Sequence, residues 1–106
     1  MQTGICLRIY LSESDSIGSA PALEAILGLC QKAGLLGVSV LRGVEGLGKH
    51  GVHSSSFIEL ASGLPLIIEV IDRNEKIQHA LPIIQEHLPS ALIITWPVQL
   101  IQGITE

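Results

Sequence analysis

Basic residues are scarce in this chain. Six Lys and Arg stand against ten Asp and Glu, a formal charge of −4 over 106 residues. Nucleic-acid binding needs a clustered positive field, which this composition does not supply. Cysteines are few as well: Cys6 and Cys30 stand alone, without a CxxC neighbour. They read as buried free thiols in a strand and a helix rather than as a disulfide. Hydrophobic residues make up 47% of the chain and charged ones 15%. Even so, no run reaches the roughly 18 uninterrupted apolar residues of a membrane helix. No secretory signal is visible, since Ile5–Leu11 is short and alternating. The expected location is the cytoplasm. The apolar excess must be hidden elsewhere, and a subunit interface is the simplest place.

What is present is one domain, residues 1–106, large enough to bury a core without metal or disulfides. Ile5, Leu7, Ile9 and Leu11 alternate with Cys6, Arg8 and Tyr10, the pattern of a half-buried strand. Ser12–Gly18 is polar and loop-like. Ser19-Ala20-Pro21 opens a helix, with Ser19 as its expected cap and proline in the first turn. Leu23, Ile26, Leu27, Cys30 and Ala33 recur at helical spacing, and Gly34 ends the run. Val38–Leu41 is a second strand and Pro65–Asp72 a third. Asp72 and Glu75 have the form of a capping box. The helix that follows carries Ile77, Ala80, Leu81, Ile84 and Leu88 on one side. A kink or break is expected at Pro82, where proline costs about 3 kcal/mol in a regular helix. Ala91–Trp96 is the fourth strand; Pro97 should limit its pairing, and Val98–Ile104 is open to reading as a short extra strand.

The order β-α-β-β-α-β predicts an α+β, ferredoxin-like sandwich. Two helices would cover one face of a four-stranded antiparallel sheet. The opposite face should be polar if it met water. Instead it combines Ile67, Glu69 and Ile71 with Cys6, Arg8, Tyr10, Ser39 and Leu41. Such a face argues for burial against further copies under cyclic symmetry. Arg8 and Glu69 are expected to pair across neighbouring strands there, as interface structure rather than chemistry.

Between the second and third strands lies a connection of about 20 residues, 42–63, where a hairpin would suffice. Connections beyond about 12–15 residues are usually functional or disordered. It opens with Leu41–Gly51, LRGVEGLGKHG, four glycines with Arg42, Glu45, Lys49 and His50. Glycines let backbone N–H groups approach an anion closely. Gly43-x4-Gly48-Lys49 falls one residue short of a Walker loop, because His50 stands where the magnesium-binding hydroxyl belongs. Gly46-x-Gly48-x-x-Gly51 matches the dinucleotide fingerprint in form. Neither match is followed by a credible helix start, and a β-β connection is not a βαβ crossover. Arg42 and Lys49 are the cations placed to meet phosphate oxygens. His50 and His53, with Glu45, are the candidate metal ligands, although their spacing fits no closed zinc set. A helical turn is expected around Phe57–Ala61, capped from Ser54–Ser56. His79 and His87 read as solvated helix residues. No Ser–His–Asp set or paired carboxylates can be placed, and Ser54-Ser55-Ser56 reads as linker and cap rather than nucleophile.

Several strings together resemble PII-type signal-transduction proteins, and more closely the PII-like family known as domain of unknown function 190. They are Ile9-Tyr10-Leu11-Ser12-Glu13-Ser14-Asp15, Pro21-x-x-Glu24-Ala25-Ile26, Val40 through Gly48, Leu64 through Asp72, Glu75-Lys76-Ile77 and Leu81-Pro82. The resemblance implies a homotrimer with nucleotide clefts between subunits. It further implies regulation through a long T-loop-like segment and a target protein, such as a membrane transporter. By matched position, Gly46, Gly48 and Lys49 are the ligand contacts, with Arg42 and Gly43 next, and an adenine nucleotide is the implied ligand. The chain departs from PII proteins after the second helix. There Leu88-Pro89-Ser90 replaces a glycine-rich basic loop. A metal-responsive trimer similar to CutA proteins, using His50 and His53, is the alternative, and an enzyme is the third reading.

Overall fold

The computed structural model describes residues 2–48, 51–54 and 64–103. Along the chain run β1 (Gln2–Ser12), β2 (Ser16–Ile17), β3 (Ala20–Pro21), α1 (Ala22–Lys32), β4 (Gly37–Arg42), β5 (Glu45–Gly48), β6 (Gly51–Ser54), β7 (Pro65–Arg73), α2 (Asn74–His87) and β8 (Leu92–Leu100). The main sheet has the order β4-β7-β1-β8 and is antiparallel throughout. This is the expected ferredoxin-like sandwich.

Alternation fixes the register. Leu66, Ile68, Val70 and Asp72 of β7 are buried, while Ile67, Glu69 and Ile71 between them are only partly so. Leu7, Ile9 and Leu11 of β1 join the first set and meet Ala22, Ile26 and Cys30 of α1 and Ile77, Ala80 and Ile84 of α2. Each fully buried Leu, Ile or Val contributes about 1.5–3 kcal/mol. A one-residue slip of β1 would turn its entire apolar set away from the helices. Helix α1 ends as expected at Gly34, which takes φ +73°. The Gly34 and Leu35 N–H groups donate to the Gln31 and Cys30 carbonyls, the paired bonds of a Schellman stop.

Four local expectations are corrected. Ser19 does not cap α1: Ala20–Pro21 pairs with Ser16–Ile17 in a small ribbon, and Pro21 occupies the cap position without a side-chain bond. Asp72 does not cap α2, because its side chain is turned into the protein to other N–H groups. Pro82 does not break α2, which runs on to His87. Pro82 and Gln78, whose carbonyl loses its partner there, are both exposed, so water can serve the freed group. Pro97 does not end the last strand either; pairing with β1 continues to Gln2 opposite Leu100. As an edge strand, β8 has an unpaired side where a missing N–H breaks no ladder. The helical turn expected around Phe57–Ala61 lies outside the described residues.

Cys6 and Cys30 are buried and unbridged. Burial pushes both thiols up, and the Glu69 carboxylate adds to the effect at Cys6. A raised thiol holds little thiolate at neutral pH and reacts slowly. The native protein is therefore expected to leave both thiols unmodified by Ellman's reagent over minutes, and urea to release two equivalents. Rapid release of either equivalent from folded protein would contradict this.

The face of the sheet away from the helices is uncovered in the single chain. Its paired residues form three rows: Leu92–Tyr10–Ile67–Leu41, Ile94–Arg8–Glu69–Ser39 and Trp96–Cys6–Ile71–Gly37. The expected Arg8–Glu69 pair is at the centre, with Nη2 to Oε2 at 2.7 Å and Nε to the same oxygen at 2.8 Å. The Arg8 guanidinium also lies 5.5 Å from the Trp96 ring centroid, within cation–π range. Apolar rows flank it on both sides, and Leu92 is 61% exposed. Gly37 is required at its corner, since a Cβ would stand 2.4 Å from the Ile71 carbonyl oxygen.

Candidate ligand site at one end of the sheet

The antiparallel register gathers four strand ends at one end of the sheet. Ser12 lies opposite Pro65, Arg42 opposite Leu66 and Tyr10 opposite Leu92. Strands β1 and β4 therefore leave where β7 and β8 enter.

The turn after β1 is tightly bonded. The Ser12 N–H donates to Asp15 Oδ2 at 2.9 Å, the Asp15 N–H to the Ser12 carbonyl at 3.0 Å, and the Ala22 N–H to the Asp15 carbonyl at 2.9 Å. Such side-chain-to-backbone bonds are how Ser and Asp hold turns. Glu13 is placed by its N–H donating 3.0 Å to the carbonyl of buried Leu64. Its carboxylate pairs with Arg42 at the end of β4. One residue on, the Gly43 N–H donates 2.7 Å to the Pro65 carbonyl. A Cβ on Gly43 would stand 2.6 Å from Pro65 Cγ. Gly43 is thus a packing glycine, joining the outgoing and returning feet of the long connection.

The glycine-rich segment beyond is a ribbon. Glu45 pairs with Ser54, Gly46 with His53, Leu47 with Val52 and Gly48 with Gly51. Gly46 and Gly48 lie in β5, and His53 lies in β6. The strand Gly51–Ser54 stands where the Walker and dinucleotide motifs require a helix, so both motif readings fail for the reason expected. Lys49 and His50 lie outside the described residues. Among the described residues, no three His, Cys, Asp or Glu side chains come together to hold a metal ion.

On the other side of the Ser12–Asp15 turn is an open cleft of about 340 Å3, lined by Tyr10, Leu11, Asp15, Ser16 and the segment His87–Ala91. His87 Nδ1 is 2.8 Å from the Ile83 carbonyl. A carbonyl only accepts, so this nitrogen carries hydrogen and a neutral ring would leave Nε2 as its acceptor. The sequence reading missed this cleft and the part played by Glu13 and Asp15. The available signal was the Ser-Glu-Ser-Asp turn directly after a buried strand.

Residues 4–100 match the family DUF190, described as Uncharacterized ACR. The chain belongs to this family. A UPF0166 protein of Methanocaldococcus jannaschii is 32% identical over 100 residues, 93% of each chain. A UPF0166 protein of Aquifex aeolicus is 36% identical over 76 residues, 71% of this chain and 72% of the relative. Among solved structures, the fold is similar to that of CPII, a nitrogen regulatory PII-like protein of Thiomonas intermedia bound to ADP, AMP and bicarbonate. The TM-score is 0.65 at 18% identity, over 92% of this chain and 94% of CPII. The DUF190 chain thus has a PII-like fold. Among its described residues, no helix is long and apolar enough to cross a membrane.

Proposed function

We propose that this DUF190 protein is a PII-like homotrimeric regulator that binds an adenine nucleotide at clefts between subunits. It would signal through the long segment that opens with the β5–β6 ribbon. The observation that carries the reading is the shared end of the sheet. The feet of a long connection, a glycine ribbon and an open cleft all meet there around one bonded turn. The nucleotides bound to CPII, which has the same fold, support the ligand class. The uncovered apolar face supports assembly, since a contiguous patch of that kind is costly in water. Arg42, Gly43, Gly46, Gly48 and Lys49 are the proposed contacts. Arg42 and Lys49 supply charge, Gly46 and Gly48 a backbone that a phosphate can approach, and Gly43 the fixed foot. Binding rather than catalysis is its role, exerted in the cytoplasm on a target protein such as a membrane transporter.

Isothermal titration with AMP, ADP, ATP and cyclic AMP tests the reading. At least one is expected to bind with a stoichiometry of one per subunit. A well-folded protein that binds none of the four would end the nucleotide reading.

A further inference from the structure

Resting on the nucleotide reading, we infer that Glu13 is an internal competitor for the ligand's phosphate at Arg42. The two side chains form an ion pair, with 54% of the Arg42 side chain and 23% of the Glu13 side chain exposed. Both backbones are fixed. Glu13 is bonded to the Leu64 carbonyl inside a turn closed by Asp15, and Gly43, next to Arg42, is bonded to Pro65. The carboxylate is therefore set against the guanidinium by the fold, in a pair that remains open to solvent on the Arg42 side. A half-open pair of this kind is weak and easily exchanged. Its effect is to select. A monoanionic carboxylate that displaced Glu13 would replace one negative charge by an equal one. A phosphate group carries close to two charges and three acceptor oxygens, and gains from the exchange. The pair thus favours phosphate-bearing ligands over simple carboxylates. Because Glu13 is bonded to Leu64 at the returning foot and paired with Arg42 at the outgoing one, the exchange occurs where both ends of the segment can register it.

The test is a double-mutant cycle read by titration with ADP. Glu13→Gln is expected to tighten binding about two- to fivefold, the strength of an exposed ion pair. Arg42→Gln is expected to weaken it about tenfold or more. In the Arg42→Gln background, Glu13→Gln should change nothing, because its effect acts through Arg42. An equal gain in both backgrounds would reveal only the general repulsion of a net-negative protein and overturn the competitor role. So would an unchanged constant for Glu13→Gln beside normal wild-type binding, which leaves the nucleotide reading intact. Absence of ADP binding in all four proteins overturns the competitor role, and the nucleotide reading falls with it only where AMP, ATP and cyclic AMP also fail to bind the wild type.

Discussion

Ile67→Glu is expected to convert the assembled protein into monomers that remain folded. Ile67 lies between Tyr10 and Leu41 on the uncovered face, in a row that holds no basic side chain. A glutamate there meets no basic side chain in its own row, and Arg8 in the next row is already paired with Glu69; three copies meeting at one axis would bring three such charges together. An unpaired buried charge costs on the order of 3–5 kcal/mol per copy, comparable to the whole margin of many weak assemblies. The wild type is expected at three times the 11.3 kDa chain mass by light scattering and the variant at that mass alone. Far-UV circular dichroism should hardly change, because Ile67 is not among the side chains packed under the helices. Ile67→Val is the control and should stay assembled. A variant retaining the threefold mass, or a wild type found as a monomer, would remove the assembly from the proposal.

That face could be read from the sequence because alternation has no competing explanation. Arg8 and Glu69 each fall between apolar neighbours on strands whose inward residues are unambiguous, and their pairing followed from register. The prolines were harder. Pro82 and Pro97 carry a local cost in any single-sequence reading, yet that cost depends on which side of the element faces water. Tertiary placement put Pro82 on an exposed helix face and Pro97 in an edge strand, the settings that tolerate proline. At the candidate site the glycines were visible, but their local geometry was not. Spacing alone does not say that Gly46 and Gly48 pair in a ribbon, or that Gly43 lets the chain pass Pro65. The charged residues that organise the site were less visible. Glu13 and Asp15 sit in a short polar turn, and nothing local says that one will reach Arg42, about 30 positions away in the chain.

Asp72 shows the same limit in its strongest form, and its removal should have the largest effect on stability. Local spacing makes it a helix cap. In the fold it is the fully buried end of the inward row of β7. Its Oδ2 accepts the Leu36 N–H at 3.0 Å and its Oδ1 the Arg73 N–H at 2.8 Å. One side chain thereby ties the α1–β4 connection to the strand that leads into α2. Asp72→Ala removes both acceptors and leaves a gap beneath the helices. The expected cost is about 2–4 kcal/mol, a fall in Tm of roughly 10–20 °C for a domain of this size. Asp72→Asn is the sharper test, because it keeps the volume. An amide offers one oxygen and turns an NH2 toward the second N–H, so a donor meets a donor. Its cost should approach that of alanine rather than vanish. Urea unfolding at one fixed protein concentration separates this from any change in assembly. An Asn variant within about 0.5 kcal/mol of wild type, the range of ordinary surface changes, would show that the two N–H bonds do not hold this corner.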